Sequence, residues 1–162
     1  MRRARPGARV QLELTRRVRA WSPPRAELAR WAGMALGARA ARGELAVSVV
    51  GPAESRRLNA RYRGRDRATN VLSFPAPAQP RRPAVHSLGD LVVCPGVLRR
   101  EARAQAKTLR AHWAHLIVHG TLHLIGYDHE RARDARRMER REIAVLKRLG
   151  FANPYRSIGD DG

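Results

Sequence analysis

Apolar and polar positions alternate in some stretches of this chain and recur every three or four residues in others. Residues 10–14 (Val-Gln-Leu-Glu-Leu) alternate weakly and predict a first strand. Ser22-Pro23-Pro24 predicts a helix start, with Ser22 as a cap and proline tolerated in the first turn. Leu28, Trp31, Ala32 and Ala35 then follow at helical spacing. Residues 45–50 form a short apolar run between Gly43 and Gly51-Pro52 and read as a strand. Residues 53–62 read as a helix, with Leu58 and Tyr62 four apart and Gly64 as the stop. Residues 70–74 read as a strand ended by Pro75, and 88–93 as a strand stopped by Pro95.

Between those two strands, four prolines (75, 77, 80 and 83) predict a mobile loop over 75–87. Residues 97–106 and 108–125 predict two helices, with Thr108 the N-cap of the second and Gly126 its end. Asp128 is positioned to cap a last helix that runs to about Leu149, with Ala135, Met138, Leu146 and Leu149 inward and Gly150 as its stop. The tail, 157–162, reads as frayed. No repeat or linker divides the chain, so residues 1–162 read as one domain of α+β class. Three or four strands form a small sheet covered by about five helices.

Composition narrows the setting. With 162 residues and 43% hydrophobic content, the chain can bury a true core. Its apolar runs are far shorter than the roughly 20 residues of a membrane span, and Cys94 is its only cysteine, so neither a membrane protein nor a disulfide scaffold is expected. The basic start (Arg2, Arg3, Arg5) leads into no apolar segment, which fits a cytoplasmic protein better than a secreted one. The net charge is +19, a field that attracts nucleic acid or anionic surfaces. All but two of the 33 basic residues are arginine (Lys107 and Lys147 are the exceptions), so coding bias accounts for part of the arginine but not for the shortage of acids. Aromatic content of 5% argues against base-stacking platforms.

Five of the six histidines lie between positions 112 and 129. His119 and His123 stand four apart on a predicted helix and share one face. Gly126 lets the chain leave that helix, and the turn can return His129 as a third ligand. Three neutral imidazoles suit zinc, one ion per chain, and leave a fourth position for water. The spacing equals that of the metzincin peptidases, H-E-x-x-H-x-x-G-x-x-H, but their general base is Gly120 here. His115, one turn before His119, is a candidate to support the site from behind. His112 reads as a surface residue and His86 as a solvated one. Asp128, besides capping, could orient a ligand imidazole. Cys94 reads as buried rather than ligating. The arginines at 133, 136, 137, 140 and 141 read as a solvated helix face able to follow a phosphate backbone.

The segment from His119 to His129 resembles the H-G-x-L-H-L-x-G-Y-D-H signature of the YbeY family of bacterial rRNA maturation factors. Residues 59–75 resemble its N-x-x-Y-R-x-x-x-x-x-T-[DN]-V-L-S-F-P stretch, and Leu88-Gly89-Asp90-Leu91-Val92-Val93-Cys94 its L-G-D-I-x-I-C strand. The likeness covers roughly residues 40–155. It implies a four-stranded mixed sheet with about five helices, and a metal held by His119, His123 and His129. It also implies a functionally important arginine at Arg63. The implied activity is a metal-dependent, single-strand-specific endoribonuclease acting in rRNA maturation, at the small-subunit 3′ end, and in ribosome quality control. The implied partners are rRNA, the ribosomal subunit and ribosomal proteins. From the residues alone, Arg63 suits either a phosphate clamp or a helix-end cation. Two other readings stay open: a metal-dependent peptidase or hydrolase using another base such as Glu130, and a non-catalytic ribosome-assembly factor with a structural zinc.

Overall fold

The computed structural model describes residues 10–77 and 86–156. Four strands, β1 (Gln11–Arg16), β2 (Gly43–Val49), β3 (Val71–Pro75) and β4 (His86–Val93), form one sheet in the order β1-β2-β4-β3. β1 and β4 both run parallel to β2, while β3 runs antiparallel to β4, so the sheet is mixed. The described helices are α1 (Arg25–Leu36), α2 (Pro52–Arg63), α3 (Pro95–Ala104), α4 (Leu109–Leu124) and α5 (Ala132–Arg148). The α+β expectation therefore holds. A 3-10 turn over Gly37–Arg42, which the sequence pattern did not suggest, joins α1 to β2.

α4 is the centre of the molecule. It packs on β3 and β4 on one side and touches α1, α3 and α5 on others. Nine of its residues are buried, Trp113, Ile117 and Leu122 completely, as befits a helix enclosed on most faces. Thr108 is its N-cap, accepting a hydrogen bond from the Ala111 amide at 3.1 Å. On β4, Leu91 is fully buried under this helix. A completely buried leucine contributes about 1.5–3 kcal/mol.

β3 and β4 approach closely at Gly89, which has φ +128°; a Cβ there would lie 2.1 Å from the Phe74 carbonyl oxygen. Only glycine combines that backbone with that contact.

Several local expectations need correction. Ser22 does not cap α1: its hydroxyl accepts from Arg16 Nε at 2.8 Å, and Pro24 occupies the N-cap position with no side-chain bond. Pro75 belongs to β3, and His86 and Ser87 to β4, because their backbones pair with Gly89, Gly43 and Glu44. Residues 78–85 of the expected loop, and the tail, 157–162, lie outside the described residues. On α5, Met138 and Leu146 are buried as the periodicity predicts, whereas Ala135 and Leu149 are half-buried. No helix among the described residues is long and apolar enough to cross a membrane.

Candidate metal centre

α4 carries His112, His115, His119 and His123 along its length. The last two meet across one helical turn, with ring centroids 4.8 Å apart. After Leu124 the chain closes the helix by two bonds. The Tyr127 amide donates to the Leu122 carbonyl (3.0 Å) and the Gly126 amide to the His123 carbonyl (3.1 Å), the pairing of a Schellman end. Gly126 adopts φ +102° with open space where a Cβ would stand, so its backbone, not its size, demands glycine.

The reversed chain brings His129 back to the helix. Its ring centroid lies 4.7 Å from that of His123 and 5.7 Å from that of His119. One donor nitrogen from each of the three rings lies within 4.8 Å of the others. Burial, and the neighbouring His119 and His129 rings, push the His123 pKa down to about 4, so this imidazole is neutral at physiological pH. A metal ligand requires that state.

Asp128 serves this turn and not the last helix. Its carboxylate accepts from the His129 amide at 2.6 Å and the Glu130 amide at 3.1 Å. Those two bonds hold its pKa below the usual carboxylate range. α5 begins at Ala132, with Arg131 at its N-cap position, so the expected Asp128 cap is corrected. Asp128 thus fixes the backbone that carries His129.

Sequence reading missed Glu142. This residue of α5 has no exposed surface, and its carboxylate meets His119 Nδ1, the Tyr155 hydroxyl and, at 3.3 Å, His115 Nε2. Burial alone would raise its pKa; the bonds from His115, His119 and Tyr155 prevail and bring it down to about 2. Being ionised, Glu142 can only accept, so His119 donates through Nδ1 and keeps its Nε2 lone pair for a metal. His115 therefore reaches the three-histidine group through Glu142. A signal was present: Met138, Glu142, Val145 and Leu146 form one inward stripe on α5, and a carboxylate in such a stripe needs a buried partner.

His112 is buried, contrary to expectation, and its Nε2 meets Glu101 of α3 at 3.1 Å. Burial is the main reason its pKa is lowered. Glu101 also accepts from Asn70 Nδ2, which ties α3 to the start of β3. Cys94 is buried at the head of α3, as expected. The His86 side chain lies outside the described residues.

Arg63 ends α2 and is exposed, with Gly64 in the left-handed conformation behind it. Its Nη2 donates to the Ser73 carbonyl at 2.8 Å and its guanidinium lies 5.5 Å from the Phe74 ring centroid. The Ser73 hydroxyl in turn donates to the Gly120 carbonyl at 3.4 Å, beside His119. Arg63 is thus anchored to β3, the strand that packs on α4, and reaches the histidines only through it among the described contacts.

Residues 24–150 match the model of a family described as endoribonuclease YbeY. The chain belongs to the YbeY family. It is 54% identical over 141 residues to the endoribonuclease YbeY of Alkalilimnicola ehrlichii, covering 85% of each chain. With that of Pseudomonas putida strain F1 it shares 47% identity over 146 residues, 90% of this chain and 93% of the relative. The fold is similar to that of the solution structure of TM1509 from Thermotoga maritima, at a TM-score of 0.53 and 22% identity over 94% of this chain and 99% of that one.

Proposed function

We propose that this chain is a zinc-dependent, single-strand-specific endoribonuclease of rRNA maturation, acting at the small-subunit 3′ end and in ribosome quality control in the cytoplasm. Residues 1–162 act as one domain, with rRNA in the ribosomal subunit as substrate and ribosomal proteins as neighbours. The observation that carries this reading is the convergence of His119, His123 and His129 in a chain whose relatives are named endoribonucleases.

The donor set fits the metal: three imidazoles, one oriented by a buried carboxylate, are the three-ligand arrangement of a hydrolytic zinc site. When bound, zinc supplies Lewis acidity toward a phosphoryl oxygen and lowers the pKa of water. The protein's own groups do the rest. Arg63, pinned by Ser73 and flanked by Phe74, retains guanidinium N–H groups outside those bonds for the scissile phosphate and the charge that grows on it. Glu142 holds the His119 ring, and Asp128 holds the turn of His129.

The peptidase pattern lacks the base its spacing would place at position 120. Gly120 sits against the sheet, and a Cβ there would lie 2.8 Å from Leu91 Cδ2, so the position faces packed core rather than a water at the metal.

The test is single-turnover cleavage of a single-stranded RNA and of a peptide by zinc-replete protein, beside His123→Ala. Cleavage of RNA alone, lost together with the zinc in the variant, is the expected result. A zinc-replete protein that binds RNA without cutting it would leave the assembly-factor reading in its place.

A further inference from the structure

A cavity of about 500 Å³ opens directly behind the histidine turn. Leu36 of α1 and Ile125 add apolar side chains to a lining that is mostly polar. Tyr127 lines it, with the Arg137 guanidinium 5.6 Å from its ring centroid. Arg39 of the 3-10 turn and Arg141 of α5 complete the rim; neither makes an ion pair with a described residue. Two carboxylates, Asp128 and Asp134, also line it, so three cations face two anions. Asp128 already accepts from two backbone amides. The balance is one net positive charge.

We propose that this cavity is a subsite for one unpaired nucleotide of the RNA strand, the base against Leu36, Ile125 and Tyr127 and its phosphodiester among Arg39, Arg137 and Arg141. This rests on the endoribonuclease reading above. A phosphodiester carries a single negative charge, which matches the net charge of the rim, and guanidinium forks suit its oxygens. The volume lies in the usual range for small-molecule sites. Position supplies the link to cleavage. Ile125, Tyr127 and Asp128 belong to the same short segment that joins His123 to His129. A strand that leaves the histidines over this segment has the cavity beneath its next base. Filling the cavity requires a base free of pairing, so the subsite would select single strands.

The experiment measures binding of a short 2′-O-methyl single-stranded oligonucleotide to the zinc-loaded full chain at several salt concentrations. Wild type is compared with Arg39→Ala/Arg141→Ala and with Arg99→Ala/Arg103→Ala, which removes two charges from α3. Losing two phosphate contacts makes the plot of log affinity against log salt shallower by about 1.4, at about 0.7 per single-strand contact. The Arg39/Arg141 variant should show that change and bind about tenfold more weakly at low salt. It should keep its zinc, and its cleavage at sub-saturating RNA should fall in step with its affinity. A slope equal to wild type, or an equal change in the α3 variant, overturns the subsite while leaving the nuclease reading intact. Binding of the unmodified single-stranded RNA without its cleavage by wild type overturns the nuclease reading, and the slopes still decide whether the cavity takes RNA. Arg39→Glu is a second variant, at an exposed position. It must weaken binding further than Arg39→Ala if a phosphate sits there.

Discussion

Glu142 holds the chemistry of the site more tightly than its place in the middle of a helix suggests. It is an ionised carboxylate with no exposed surface, and its charge is offset by hydrogen bonds from His115, His119 and Tyr155. Glu142→Gln preserves shape but replaces a charged acceptor by a neutral amide, which no longer fixes the His119 tautomer as firmly. Zinc affinity, measured by competition with a chelator, should fall about 10- to 100-fold. An affinity equal to wild type would show that Glu142 only fills space. Arg63 gives a contrasting prediction, because it anchors to Ser73 and contributes no metal donor. Arg63→Ala should leave zinc content unchanged and slow single-turnover RNA cleavage by about a hundredfold or more. Arg63→Lys should recover only part of that rate, since an ammonium lacks the two-pronged geometry. Equal rates in wild type and Arg63→Ala would remove this arginine from the chemistry. Acid acts on the buried histidines through linkage. The unfolded chain protonates His123 near pH 6.5, but the folded chain does so only near 4. A depressed folded pKa means that the unfolded state binds more protons between those values. The stability that depends on neutral His123 is therefore complete above about pH 6.5 and is lost as pH falls through that window. Buried His112 shifts in the same direction. Denaturant midpoints of metal-free protein should fall steadily from neutral pH toward pH 4, and His123→Ala should flatten the curve. A pH-independent midpoint would contradict the burial of these imidazoles.

Among the elements, α4 and its seat on β4 decide what the histidine motif can become. Gly120 lets the helix lie close to Leu91, so Gly120→Glu would add volume where 2.8 Å is available to the first added carbon. Overpacking of this kind costs about 1–3 kcal/mol. The variant should melt earlier and gain no peptide cleavage, even though its sequence then matches the peptidase pattern. Peptide cleavage by that variant would refute the steric argument. The strands at the centre of the sheet were readable because Leu45, Val47, Val49, Leu91 and Val93 are buried on pairing, which leaves apolar runs bounded by glycine and proline. α4 was readable from Thr108 at one end and Gly126 at the other, both local devices. The three-histidine turn was legible for the same reason: its geometry is fixed within eleven consecutive residues. What escaped depends on distant partners. His112 looks like a surface residue until Glu101 of a different helix is seen against it. Ser22 and Asp128 have cap chemistry, yet Arg16 and two neighbouring amides claim their oxygens first. Glu142 reads as one more charge on an arginine-rich helix until the inward stripe is traced.

At the scale of the whole molecule, the net charge of +19 is the property most open to a neutral explanation. Arginine in place of lysine changes no charge, so coding bias cannot by itself produce the excess of 33 basic over 14 acidic residues. Some of these cations are already engaged at the surface: Arg56 forks onto Asp66 at 2.7 and 2.9 Å, and Arg17 meets Glu54 at 3.2 Å. Arg63, Arg39 and Arg141 lie instead near the segment that holds the histidines or the strand behind it. If RNA is held through such groups, each phosphate contact releases counterions, and affinity falls by about 0.7 log units per log unit of salt. A strand touching Arg63, the metal and the neighbouring cavity makes several contacts at once, so the slope for wild type should be about 2 or steeper. Association should also slow with salt, because the long-range field is screened over about 10 Å at 0.1 M ionic strength. Titrating a single-stranded oligonucleotide at rising salt, with on-rates taken from stopped-flow traces, reads both quantities. Affinity and on-rate that hold constant across the series would reduce the basic surface to composition and leave RNA recognition to the metal site alone.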